Sequence, residues 1–182
     1  MTHFDIRICG LDRSLELRDT WATHVVSLID RGYPTVFPPM GDHHLVLRVD
    51  DVEADHGTLV APTAADLTAV LAFTAGLTDG DRLLIHCHAG VSRSTAAALA
   101  VCVQHGATPE DAIGRIHGLR DCMYPNQTLV RLTDAHFGLN GSLTALVTTW
   151  KQEQGSQLIR FAIEKTTGDD IAEMKRLLEL MK

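Results

Sequence analysis

The sequence predicts an α/β fold: a central, mostly parallel sheet of four to five strands flanked by helices, followed by a helical C-terminal half. Three observations predict it. Short apolar runs of strand length recur through the first half, separated by helix-length segments. One of them, Arg82-Leu83-Leu84-Ile85, runs straight into a turn-rich loop and then into small and apolar residues that read as a buried helix. Beyond Gly106 the apolar residues fall at helical spacing behind capping residues.

Each element has its own signal. Ile6 and Ile8 alternate with polar neighbours and mark a first strand, whereas residues 11–21 are mixed and fit either a short helix or a loop. Residues 24–29 read as a second strand, and Leu45, Leu47 and Val49 share one side of a third. Between them lies the longest loop, residues 30–42, rich in Gly and Pro and carrying Tyr33 and Phe37. Pro62 fits the first turn of a helix that carries Leu67, Val70, Leu71 and Phe73 and ends near Gly76. Residues 83–86 form the next strand, and 94–104 a buried helix that Gly106 ends. Thr108 is placed to cap the following helix, with Pro109 in its first turn and Glu110 and Asp111 at its positive end. Pro125 and Asn126 precede a helix with Leu129, Leu132 and Phe137, and Leu143, Leu146, Val147 and Trp150 mark another.

With 182 residues, 45% of them apolar, the chain can bury one sizeable core. The expected organisation is a main domain over residues 1–150 and a helical extension over 151–182 packed on it. In that extension Ile171, Met174, Leu177, Leu178 and Met181 share one helical face. A net charge of −7 argues against a nucleic-acid surface, which needs clustered positive charge. Cys9, Cys87, Cys102 and Cys122 are scattered without paired spacing, as reduced thiols are. Neither a signal peptide nor an apolar stretch long enough for a membrane is visible, so a cytoplasmic location and no membrane partner are expected. No metal is expected, because beside His86 and His88 no third and fourth ligand stands at a recognisable spacing.

The chemistry is concentrated in His86-Cys87-His88-Ala89-Gly90-Val91-Ser92-Arg93-Ser94. A cysteine opening a strand-to-helix loop faces backbone N–H groups and a helix N-terminus, which favour the thiolate and any bound anion. Arg93, six positions on, can hold two oxygens of a phosphate at once. A cation at a helix start is otherwise poorly placed, so its position itself asks for an anionic partner. One short segment thus supplies a nucleophile, a phosphate cradle and a charge clamp, and the implied chemistry is phosphoryl transfer to sulfur.

His-Cys, five residues, Arg, Ser resembles the signature loop of the cysteine-dependent protein tyrosine phosphatases, in particular their dual-specificity-like branch. The resemblance covers about residues 24–141 and implies a protein-tyrosine-phosphatase-like fold, with residues 1–150 as the catalytic domain. It assigns Cys87 as the nucleophile that forms a phosphocysteine, and Arg93 as the clamp on the equatorial oxygens. It brings the Ser94 hydroxyl close to the sulfur, and gives His86 the task of fixing the loop by hydrogen bonding. His88, Ala89, Gly90, Val91, Ser92 and Arg93 are then the phosphate-binding residues, and no cofactor is implied.

Breaking the ester needs a general acid from elsewhere in the chain. Asp50 and Asp51 end the third apolar strand, where a parallel sheet brings residues to the same rim as the loop after the next strand. Alignment with the strand-then-Asp pattern of the resembling family puts the acid at Asp51, 36 positions before Cys87, with Asp55 a weaker option. Pro125-Asn126 and Arg131-Leu132 resemble a further family pattern. Asn126 is equally an N-cap, so its expected role is structural, with water positioning by Asn126 or Gln127 a lesser alternative.

The loop positions 88–92 carry no lysine or arginine, and relatives acting on multiply phosphorylated inositol lipids tend to place basic residues there. The expected partner is therefore a phosphorylated protein or small phosphomonoester, with phosphotyrosine favoured over phosphoserine and phosphothreonine. Tyr33 and Phe37 are candidates to flank an aromatic ester. Two other classes stay open at this level: a phosphoprotein-binding module with little or no turnover, and a thiol redox enzyme of the arsenate-reductase kind. The second needs a resolving cysteine, and Cys102 lies about 14 Å along a regular helix from Arg93.

Overall fold

The computed structural model describes residues 4–34 and 40–165, with side chains given as far as residue 154. Phe37 and the stripe of Ile171, Met174, Leu177, Leu178 and Met181 lie outside the described residues. Four strands, β1 (Asp5–Cys9), β2 (His24–Ile29), β3 (His44–Arg48) and β4 (Arg82–His86), form one sheet in the order β1-β4-β2-β3. Every pairing is parallel. β4 therefore runs through the middle, and Val25, Val26, Leu83, Leu84 and Ile85 are fully buried, as continuous apolar runs must be when both faces of a parallel sheet are covered.

The segment left open between helix and loop is helix α1 (Leu11–Thr20), which ends at Trp21. It lays Leu17 on one face of the sheet with Cys9, Val25 and Leu84. By the two-residue alternation of strands, Leu83 and Ile85 face the other side. There α3 (Arg93–Gln104) packs on β4, with α2 (Ala64–Thr74), α4 (Pro109–Leu119) and α5 (Gln127–Phe137) around it. Ala96, Ala97, Ala98 and Ala100 leave almost no side chain between α3 and its neighbours, so this helix is surrounded by the core. α6 (Ser142–Lys165) follows.

Most sequence-predicted boundaries coincide with the observed ones, and one local assignment changes. Pro62 precedes α2 and does not sit in its first turn. The helix starts behind Thr63, whose hydroxyl accepts from the Asp66 amide while Asp66 accepts from the Thr63 amide. This reciprocal pair satisfies two orphan donors and displaces the proline signal. Thr108 and Asn126 cap α4 and α5 as expected. The chain divides into two units, Met1–Val147 and Thr148–Lys182, and the candidate site residues all lie in the first. Among the described residues no helix is long and apolar enough to cross a membrane.

Candidate active site

Strand β4 ends at His86, α3 begins at Arg93, and the six residues between them close on themselves. What shapes this loop is the fate of its carbonyls. His88 O accepts from the Leu11 amide at 2.9 Å, and Tyr124 N donates to Val91 O at 2.9 Å. Ser92 O accepts from the amides of Ala96 and Asn126 at 3.0 and 3.3 Å. Ala89 O and Gly90 O are both held by Arg120, through its second terminal nitrogen at 3.0 Å and its Nε at 2.9 Å. With five consecutive carbonyls engaged by flanking structure, the peptide units have their N–H ends available on the concave side. Ser92 makes no side-chain cap at the start of α3, which leaves the first-turn amides without that partner as well.

Cys87 sits at the floor of this cup, buried, with Sγ 3.2 Å from the Ser94 hydroxyl and 3.3 Å from the Gly90 amide that donates to it. Gly90 has φ +70°, and a Cβ there would stand 2.3 Å from the Cys9 carbonyl carbon. Only glycine fits, because the loop leans directly on the Cys9-Gly10 backbone. His86, the residue before Cys87, is buried. Its Nε2 is 2.6 Å from the Ser27 hydroxyl, which is 2.7 Å from His44 Nε2. Burial pushes the His86 imidazole down to about 4, so it is neutral at neutral pH and suited to holding the loop, not to exchanging protons there.

Arg93 is buried as well. One terminal nitrogen donates to an Asp30 carboxylate oxygen and, at 2.6 Å, to the Val49 carbonyl. Its Nε is buried with no hydrogen-bond partner and lies 3.7 Å from Asp51 Oδ2. The guanidinium is thus pinned at one corner, while its Nε is a buried donor without a hydrogen bond. Asp30 also reaches His88, 3.5 Å away, whose ring stands edge-on to Tyr33 at 4.6 Å.

The three candidate acids separate cleanly. Asp50 is buried and accepts from the Arg31 and Val60 amides at 3.0 and 2.9 Å; those amides, Val60 first, hold its carboxyl below the usual carboxylate range. Asp55 accepts from the Ala61 amide. Asp51 alone reaches the loop. Its Oδ1 accepts from the Ser92 hydroxyl at 2.7 Å and from the Asn126 side-chain amide at 3.1 Å, and it stays partly open to solvent. Neighbouring Glu53 accepts from the Gln127 and Thr128 amides, both at 2.8 Å, which ties the acid-bearing segment to the N-terminus of α5.

Several of these residues escaped the sequence reading. Asp30 and Arg120 carry no motif, and their roles come from strand ends and a helix end that only the fold brings to the loop. Asn126 was expected to cap α5, and it does, through Leu129 N at 3.1 Å, but it also steadies Asp51 and donates to Val52 O. A signal existed for Asp30: an aspartate closing an apolar parallel strand sits on the same rim as the loop. A cavity of about 420 Å³ is lined by Asp30, Gly32, Tyr33, Asp50, Asp51, Val52 and Leu59, of which Asp30 and Asp51 pair with Arg93.

No protein-family model matches this sequence, nor does any curated protein. Its fold has clear counterparts among solved structures. The human tyrosine phosphatase-like serine/threonine/tyrosine-interacting protein superposes with a TM-score of 0.55 at 22% identity, over 72% of this chain and 87% of its own. Human DUSP28 gives 0.54 at 18% identity, over 84% and 94%. The PTP-2 phosphatase of Cydia pomonella gives 0.53 at 25% identity, over 72% and 84%. The fold is that of these tyrosine phosphatase and DUSP structures.

Proposed function

We propose that this protein hydrolyses phosphomonoesters through a phosphocysteine intermediate, with phosphotyrosine as its preferred group. The observation that carries the reading is the unused buried Nε of Arg93 in the loop that also holds Cys87, with every carbonyl of residues 88–92 bound elsewhere. A buried cationic donor without a hydrogen bond is costly, and a phosphoryl group among the inward amides satisfies it.

In the first step the Cys87 thiolate forms a bond to phosphorus. The phosphorus–oxygen ester bond breaks, and Asp51 gives its proton to the departing oxygen. Charge building on the equatorial oxygens falls on Arg93 and the loop amides. In the second step water attacks phosphorus while Asp51, now a carboxylate, takes its proton. The phosphorus–sulfur bond then breaks and returns the thiolate, which the Ser94 hydroxyl and the Gly90 amide receive. His86 positions the loop and takes no proton. The partly apolar cavity of Tyr33, Val52 and Leu59, and the absence of lysine or arginine at 88–92, favour an aryl monoester over a multiply phosphorylated lipid.

Turnover is favoured over mere recognition because an acid stands within hydrogen-bond reach of the loop. Thiol redox chemistry through Cys9 or Cys102 is disfavoured because burial pushes both thiols up to about 11, leaving neither as a ready resolving thiolate; Cys122 is exposed and carries no such argument. Acid-quenching the enzyme during turnover of an aryl phosphate tests the proposal: mass spectrometry is expected to find phosphate on the peptide containing Cys87. A burst of phenol with no phosphate on that cysteine contradicts it.

A further inference from the structure

The signature loop has a reverse side, and a second cavity lies there. It measures about 390 Å³ and is lined by Arg7, Arg13 and Arg120 together with Asp12, Cys9 and an apolar floor that includes Leu17. Three arginines lining one concavity stand out in a chain whose net charge is −7. Against their three charges stands the single carboxylate of Asp12. The Gly10 start of α1 contributes a partial positive charge and the Leu119 end of α4 a partial negative one, each about half a unit. These two cancel, and the concavity is left with roughly two positive charges.

The three arginines are committed to different degrees. Arg120 donates to the Ala89 and Gly90 carbonyls. The Arg7 guanidinium lies over the Trp21 ring, 4.4 Å from its centroid. Arg13 is exposed on the first turn of α1, and its side chain makes no hydrogen bond or ion pair with the described residues. We infer that this concavity is a second anion-binding site, fitting a small carboxylate, phosphonate or phosphate with a short apolar body. The charged end meets Arg13, Arg7 and Arg120, and the body rests against Leu17 and Leu119. The site is joined to the front of the loop twice, through Arg120 and through the Cys9-Gly10 backbone that abuts Gly90. An occupant there bears on the geometry around Cys87 without touching substrate.

Trp21 makes the site measurable on its own. The chain has two tryptophans, so a Trp150→Phe background leaves Trp21 as the reporter beneath Arg7. Adding Arg93→Met disables the front clamp, so the titration does not depend on whether Cys87 hydrolyses anything. Phenylphosphonate is expected to change Trp21 emission saturably in this background, with affinity falling as salt rises. Arg13→Ala is expected to weaken it about tenfold, and Asp12→Asn to tighten it several-fold. A titration with no saturable change, or an isotherm that Arg13→Ala leaves in place, overturns the inference. Hydrolysis assays of the unmodified chain separately decide the proposed phosphatase activity.

Discussion

The site is assembled from two halves that are held in opposite ways. The nucleophile half, residues 86–94, is mostly buried and locked: its carbonyls are bound from outside, Gly90 presses on a neighbouring strand end, and His86 sits on a buried serine. The acid half, Asp30 and Asp51, is more than a third exposed and hangs on a few side-chain hydrogen bonds to Ser92, Asn126 and Arg93. The mechanism we propose accounts for the difference. An anion cradle lowers a barrier only if its dipoles are already oriented. An acid that must give and regain a proton has to stay in contact with water and admit a leaving group. Rigidity and solvent access are divided between two segments of the chain.

Four perturbations break or sharpen this contrast, from the largest expected effect to the smallest. Asp51→Asn strikes the acid half alone. Turnover of a poor leaving group such as a phosphotyrosyl peptide is expected to fall about 10²- to 10⁴-fold, while an aryl phosphate with an activated leaving group loses far less. Equal losses on both esters remove Asp51 from proton transfer. The thermal midpoint is expected to stay near that of the wild type.

Gly90→Ala strikes the locked half. A Cβ 2.3 Å from the Cys9 backbone at positive φ forces the loop or β1 to shift, and the expected cost is about 3 kcal/mol or more. Urea unfolding reads this directly, and activity is expected to fall with it. An unchanged midpoint contradicts the claim that the loop is wedged against β1.

The third test is pH. Burial holds His86 down to about 4 in the fold, against an ordinary 6.5, so unfolding takes up a proton between those values. The stabilisation is complete above pH 6.5 and is lost as pH falls towards 4, by up to about 3 kcal/mol. His24 and His44 are also lowered by burial and act in the same direction. Urea midpoints measured between neutral and mildly acidic pH are expected to drop on the acid side. Flat midpoints contradict a neutral buried His86.

Asp50→Asn is the smallest perturbation and separates two adjacent aspartates. Asp50 holds the Arg31 and Val60 amides, so its loss is expected to cost about 1–3 kcal/mol of stability with kcat little changed. The lowered carboxyl pKa gives this contribution a sign: it is present at neutral pH and is lost as acid titrates the group. A kcat loss as large as that of Asp51→Asn contradicts the separation.

How much of this was legible depends on how far each contact reaches along the chain. The strands, the buried helix and the caps at Thr108 and Asn126 are local events, and periodicity and capping chemistry record them. The loop is also local, with nucleophile, clamp and Ser94 within eight residues. Choosing Asp51 over Asp50 needed the resemblance, because two adjacent aspartates at a strand end are equivalent in composition. They differ only in which meets Ser92 and which meets the amides of a crossing segment. Asp30 and Arg120 reach the loop from 63 and 30 positions away, contacts that no local pattern encodes. Pro62 misled because a favourable first-turn residue was outcompeted by a reciprocal cap one position on.

The most direct test of the central claim is hydrolysis by the wild type and Cys87→Ser, side by side with a metal chelator present, on phosphotyrosyl and phosphoseryl peptides. Cysteine-dependent phosphoryl transfer predicts turnover by the wild type, faster on phosphotyrosine, and none by a correctly folded Cys87→Ser. Turnover that survives the substitution, or a folded wild type that binds phosphopeptide without releasing phosphate, contradicts it.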